Sequence, residues 1–523
     1  MKNTQYLLLC FLFLLSCSDN DLKDKQVIDY IKINSINSEA IKFYRDAKLN
    51  LFNGELIEAK QAFLSAIKID PNFFLANLEI NEDNIKIKET FNNIARKGLE
   101  TANDYEKRFY DYKTSPSRFD KRKIAKGIVE NYPNNFEGYI LEGLTHYWWT
   151  FDTQKAQDLF KKAIAIDPDN LIANYQYLNY KYNGAPTAFK LRNDVLFYEN
   201  FDKEATDLVK KFPNNITVLS GMGLIYRNSI IDKDVSRFEK SKSLYEKALK
   251  IADANNSSTK VQLTKDLGDL FVMSGQNKDG IEAIKRAIDL SEDNNQNIRS
   301  NFALFNAYIY MGDYLNAIKS IDSFIGSING YGFSEEEKLR CYVATNHYKS
   351  IIYAHANQKE RAEQSLAEYK EYSDKLISFY GWERSEAGEI LSRTGRGRND
   401  NIRWTQLTPA WQLRNEIWID ILVGNYQEAS NLLEEAKIKF NAKWTDYSAI
   451  LDIMQGKMIE GIEKLDKINA RYPLYFKAQA LQNIGQIDRS IQILDSIRFL
   501  PIQNFYNALV VKRASNLYKQ ISK

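Results

Sequence analysis

Residues 40–71 read AIKFYRDAKLNLFNGELIEAKQAFLSAIKIDP, and their spacing decides the fold. Ala40, Phe43, Tyr44, Ala47 and Leu51 recur at helical intervals, Asn53-Gly54 makes a turn, and Leu56, Ala59, Phe63, Ala66 and Ile67 recur likewise. Two antiparallel amphipathic helices are therefore expected. Asp70-Pro71 closes the second, because proline cannot continue a helix and starts the next element instead.

The frame returns along the chain. Ala156, Phe160, Ala163 and Asp167-Pro168 repeat it closely. Looser copies run through Gly268, Gly275, Gly280, Ile284 and Ala287; Gly312, Ala317, Ile321 and Phe324; and Ser350, Ala362, Leu366 and Tyr369. Further copies are Gly424, Ala429, Leu433 and Ala436; Ala449, Gly456, Gly461, Leu465, Ile468 and Pro473; and Ala478, Gly485, Ser490, Leu494 and Ile497. Spacings near 34 residues, with a small residue, an aromatic and a second small residue in the second helix of the two close copies, resemble the tetratricopeptide repeat. The resemblance implies an all-α, right-handed α-solenoid of stacked helix-turn-helix units, in which small residues let paired helices approach and aromatics fill the adjacent gaps. Phe505–Ile521 then reads as a terminal capping helix.

Composition agrees with this class. The 523 residues carry 71 Lys plus Arg against 68 Asp plus Glu, so a net charge of +3 leaves no nucleic-acid footprint. Twenty-three Gly and nine Pro fall short of the roughly 7% and 5% of average usage, which argues against turn-rich β architectures. Three His and three Cys, two of the latter in or beside an apolar leader, argue against a Cys/His metal site or a disulfide framework.

The leader itself gives an address. Lys2 precedes an apolar run from Tyr6 to Leu15, too short to span a bilayer core of roughly 30 Å. Leu14-Leu15-Ser16-Cys17 resembles the bacterial lipobox, which implies cleavage before Cys17 and acyl chains on its sulfur. Ser18, in place of an inner-membrane retention Asp, points to the outer membrane, with the protein facing the periplasm or the cell surface. Asp19 and Asp21 resemble the export tags of Bacteroidota surface lipoproteins, although an ordinary solvated tether has the same composition. The expected organisation is a signal peptide over 1–16, a lipidated Cys and tether over 17–37, a solenoid with irregular inserts over 38–372, a basic loop segment over 373–408, and further repeats with a capping helix over 409–523.

Some segments depart from the repeat. Residues 81–114 read as one long polar helix, Ser115-Pro116 as the start of another, and 228–239 as an insert between the helices of one unit. No HExxH pair, phosphate-binding glycine loop or serine elbow is present, so no catalytic residue, metal or cofactor is expected. Gly395 and Gly397 lie in a basic loop that reads as a hinge.

Aromatics are the remaining candidates. Trp411, Arg414 and Trp418 share one helical face after Thr408-Pro409, with Trp404, Arg396, Arg398 and Arg403 nearby in sequence. They read either as a platform for a peptide or glycan or as packing between repeats; Trp148 and Trp149 leave their helix about 100° apart, so one at most faces a given surface. The carboxylate-clamping mode of some tetratricopeptide grooves is not carried over, because Asp269 follows Lys265 where an amide is wanted. The functional expectation is a non-enzymatic, membrane-anchored scaffold whose groove binds a polypeptide in the envelope. The alternative is a lipoprotein similar to the SusD-like glycan-binding partners of TonB-dependent transporters.

Overall fold

The computed structural model describes residues 37–53, 55–80, 85–115, 118–146, 153–183, 185–230, 235–330, 332–381, 408–468, 471–502 and 504–522. Every regular element among them is an α-helix, twenty-six in all. They form two compact units, the first ending with Lys260 and the second running from Val261 onward.

The first unit holds α1 (Ser38–Asn53), α2 (Leu56–Ile69), α3 (Phe74–Glu79), α4 (Ile85–Gly98), α5 (Asp104–Thr114), α6 (Arg118–Asn131) and α7 (Phe136–His146). It continues through α8 (Thr153–Ile166), α9 (Leu171–Tyr182), α10 (Ala185–Asn193), α11 (Val195–Lys211), α12 (Ile216–Asn228) and α13 (Val235–Ala254). Neighbouring helices in sequence pack on one another, as a solenoid requires. Ala40, Ala47, Ala59 and Ala66 are fully buried where α1 meets α2, and the ring of Tyr44 lies 5.7 Å from Phe63 and 5.2 Å from Phe73. In the second close copy of the frame, a Cβ on Gly143 would stand 2.8 Å from Phe160. The end of this unit returns to its beginning: Ser258 donates its backbone N–H and its hydroxyl to the Glu58 carboxylate, at 2.7 and 2.8 Å.

The second unit begins with α14 (Thr259–Met273), whose first two residues belong to the first unit, and continues through α15 (Asn277–Asp289), α16 (Asn294–Met311), α17 (Tyr314–Ser327), α18 (Glu335–His355) and α19 (Lys359–Phe379). Then come α20 (Pro409–Val423), α21 (Tyr426–Phe440), α22 (Thr445–Met454), α23 (Met458–Asp466), α24 (Arg471–Asn483), α25 (Ile487–Ile497) and α26 (Phe505–Ile521). Gly268 and Gly280 mark the crossing of α14 and α15; a Cβ on either would stand 2.8 Å from the other's carbonyl oxygen. Gly275, Gly312, Gly424, Gly456 and Gly485 all have φ between +79° and +87° and end the first helix of a pair, where a left-handed residue caps the last carbonyls. Asn357, at φ +56°, does the same between α18 and α19.

Two expectations are corrected. The long polar helix over 81–114 is instead two helices, because Asn103 and Glu106 form a capping box that starts α5 afresh. Ser115 closes α5, and the two residues between it and Arg118, on which the expected helix start rests, lie outside the described residues. The terminal helix α26 does more than cap: besides α25 it packs against α16, some 200 residues earlier, and so lines the inside of its own unit. The segment 373–408 lies largely outside the described residues, and the helices flanking it, α19 and α20, pack together within one unit.

Candidate functional site

The first helices of successive pairs, α16, α18, α20, α22 and α24, turn one face inward, and α26 lies among them. Phe505 of α26 stacks on Tyr348 of α18 with centroids 3.9 Å apart, and Tyr348 meets Phe302 of α16 edge-on at 5.4 Å. Tyr506 places its hydroxyl 3.3 Å from His347 Nε2. Arg513 donates from Nη2 to the carbonyl of His355 at 3.1 Å and from Nε to the Tyr314 hydroxyl at 3.3 Å. His355 Nε2 lies 2.6 Å from the Tyr472 hydroxyl.

Trp418 stands at the centre of this interior. It is 1% exposed and meets Tyr447 of α22 and Tyr472 and Phe476 of α24 edge-on, at 5.3, 5.0 and 5.5 Å. Arg414 lies 5.1 Å over the Trp411 ring and 4.7 Å over Tyr447, with Nη2 3.0 Å from the Asp446 carboxylate. Thr408 caps α20 and Pro409 occupies its first turn, which sets the register that brings Trp411, Arg414 and Trp418 to one face. Thus Trp418 belongs to the interior, Arg414 and Trp411 are half-buried beside it, and Trp404, Trp148, Trp149 and Cys17 lie outside the described residues.

The two histidines and the phenols of Tyr472 and Tyr506 in this interior are held neutral. Burial lowers His347 to about 4, and burial together with Arg513 holds His355 well below the usual histidine range. Burial raises the phenols of Tyr472 and Tyr506 well above theirs. Among the described residues this interior presents hydrogen-bonding groups, aromatic faces, the Arg414–Asp446 ion pair and the Arg513 guanidinium.

Sequence reasoning paired no carboxylates across the fold, and two buried charge clusters emerge only in three dimensions. In the first unit Glu79 accepts from Lys48 of α1 at 2.9 Å and Lys113 of α5 at 2.6 Å, with both ammonium groups over the Phe109 ring. Burial by itself would raise the Glu79 carboxyl, but the two lysines outweigh it and lower it to about 2. In the second unit Lys265 lies 2.9 Å from Asp266 and 3.5 Å from Asp269, so Asp269 neutralises the lysine it follows.

Elsewhere Glu142 lies 3.7 Å from His146 Nε2 within α7, and burial raises its pKa. Cys341 is buried and its thiol is pushed up to about 12 by burial. Among the described residues no group of three or more His, Cys, Asp or Glu is placed to hold a metal, and no helix is long and apolar enough to cross a membrane.

One open cleft of about 550 Å³ lies between α18 and α19, lined by Glu335, Leu339, Glu371, Asp374, Lys375, Ser378 and Phe379. The Phe379 side chain is 48% exposed at its mouth. A second, of about 530 Å³, is lined by Asn277, Lys278, Ile281, Glu282, Lys285, Met311 and Asp313.

No protein-family model matches the chain, and no curated protein matches it. Among solved structures the chain is similar to a human IFIT1 dimer with m7Gppp-AAAA, at 11% identity and TM-score 0.35 over 94% of this chain and 91% of that one. It is similar to yeast Tom70 at 14% identity and TM-score 0.34 over 93% and 91%, and to the TPR domain of P58(IPK) at 16% and 0.19 over 80% and 100%. The chain is an all-α solenoid of TPR-like helix pairs.

Proposed function

We propose that this protein is a non-enzymatic scaffold, anchored to the outer membrane through acyl chains on Cys17, that binds a polypeptide of the cell envelope. The observation that carries the reading is the cleft between α18 and α19. Leu339 and exposed Phe379 give it an apolar lining, while Glu335, Glu371 and Asp374 set three carboxylates against the single ammonium of Lys375. Such a surface suits a segment with alternating apolar and basic side chains, and the stacked helices hold it rigid so that little ordering cost falls on the protein. In the second unit α26 packs against α16, α24 and α25, and the cleft between α18 and α19 is lined by none of its residues.

Affinity capture from crosslinked cells tests the reading, comparing the intact chain with Cys17→Ala and Phe379→Asp. A stoichiometric polypeptide lost in both variants supports it. Polysaccharide retained without protein, or a TonB-dependent transporter as the dominant partner, replaces it with the glycan-binding alternative.

A further inference from the structure

The end of α21 and its connection to α22 read Lys437-Ile438-Lys439-Phe440-Asn441-Ala442-Lys443-Trp444. Asn441, at φ +48°, takes the left-handed conformation that closes α21 and turns the chain back. Phe440, Ala442 and Trp444 are partly buried against the core of the unit and hold the turn from below. Ile438 stands clear of that core at 81% exposure, the highest of the exposed large hydrophobic side chains among the described residues.

Lysines surround it. Lys437 and Lys439 flank Ile438, Lys443 follows in the turn, and Lys467 closes α23. The second helices of successive pairs run parallel, so the C-terminal ends of α21 and α23 share one edge of the stack. Lys437 and Lys439 pair with Glu434 and Glu435 of their own helix, but all four side chains are exposed and such pairs hold weakly. Asp446 is taken by Arg414, and Asp466 by Lys477 and Arg489. Among the described residues no carboxylate lies within ion-pair distance of Lys443 or Lys467. Lysines in a last helical turn complement the helix dipole, which accounts for Lys437 and Lys439 but neither for the isoleucine between them nor for Lys443 and Lys467.

The geometry points to this edge of the second unit as a docking surface for an anionic phospholipid membrane, with Ile438 entering the acyl boundary and the four lysines meeting headgroup phosphates. An exposed isoleucine by itself is ordinary; one set among four ammonium groups is an amphipathic surface. Lysine is depleted from the buried centres of protein interfaces, and a nucleic acid would use the lysines but leave Ile438 in water. A lipid surface takes both, charge at headgroup level and the apolar tip beneath it. The patch is argued without Cys17; an acyl anchor there would add only local concentration.

The test places an environment-sensitive fluorophore on the full chain carrying Cys10→Ala and Cys17→Ala, in which buried Cys341 is the remaining native thiol. The label is attached through Ile438→Cys or, on the opposite edge, through Ile459→Cys near the start of α23, a position 62% exposed. Fluorescence at position 438 is expected to rise and shift to the blue with vesicles of phosphatidylcholine and phosphatidylglycerol, but not with phosphatidylcholine alone or with soluble glycerol phosphate. Position 459 is expected to stay unchanged throughout. Lys443→Glu together with Lys467→Glu, both at exposed positions, is expected to raise the lipid concentration for half the response by about tenfold or more, with circular dichroism confirming the fold. Equal responses at 438 and 459, a response to phosphatidylcholine alone or to glycerol phosphate, an unchanged midpoint in the folded lysine variant, or no response at all overturns the proposal. None of these outcomes bears on polypeptide capture at the cleft between α18 and α19.

Discussion

Tyr348 and Phe505 lie 157 positions apart in sequence and stack with their ring planes inclined by 20°. The contact joins the last helix to the middle of its unit, so α26 contributes to the stability of the whole unit and not only to its end. Phe505→Ala is expected to cost about 3–5 kcal/mol, the usual range for emptying a buried phenylalanine site. Urea denaturation followed by circular dichroism reads the loss as a lower midpoint for the transition of the second unit; an unchanged midpoint contradicts the closure.

Close approach at the α14/α15 crossing makes Gly268 intolerant of a side chain. A Cβ there meets the Ile284 side chain at 2.5 Å and the Gly280 carbonyl at 2.8 Å, and backbone cannot yield as a side-chain tip does. Gly268→Ala is expected to destabilise by about 1–3 kcal/mol, even though alanine is the better helix former. A rise in Tm would show that the crossing is looser than described.

Glu79 is 1% exposed and flanked by two lysines, so its removal strands buried positive charge. Glu79→Gln is expected to cost about 3–5 kcal/mol. Its carboxyl is depressed from 4.5 to about 2, so the wild-type contribution is complete above about pH 4.5 and is lost as pH falls toward 2. Denaturation at several pH values should show that slope in the wild type and its absence in the variant.

His347 gives a slope at higher pH. Burial depresses it from 6.5 to about 4, so between those values the unfolded chain binds the proton that the folded chain refuses. Stability is complete above pH 6.5 and falls by about 3 kcal/mol as pH drops to 4. His347→Asn is expected to flatten this part of the profile, leaving the contribution of His355; an unaltered slope would assign the whole effect elsewhere.

Membrane attachment has a direct test. Wild type is expected to partition into the detergent phase in Triton X-114 and Cys17→Ala into the aqueous phase, because several acyl chains contribute about 0.8 kcal/mol per buried methylene. Equal partitioning would remove the anchor from the proposed function.

Helix pairs were legible from residue type because the pairing of neighbours in sequence is a local problem. Ala59, Phe63 and Ala66, or Gly268 and Gly280, specify a close crossing through their sizes alone, and the small frame residues at 0% exposure occupy that place. Less legible was the break inside 81–114, where the short Asn103/Glu106 capping box ended what polarity alone read as a continuous helix. The aromatic face of α20 was visible as a face, but its direction was not: core packing and a binding platform use the same spacing, and only the positions of Tyr447, Tyr472 and Phe476 put Trp418 inside.

Local periodicity thus determined the helices, their antiparallel pairing and their stacking order, since each depends on residues within about one repeat of each other. Tertiary structure decided what those helices enclose. The lodging of α26 against α16, the meeting of Lys48, Glu79 and Lys113, and the joining of Arg513 to His355 depend on how small rotations between successive pairs accumulate. No single repeat encodes that sum, because each rotation arises from side-chain packing at an interface and becomes visible only where distant helices finally touch.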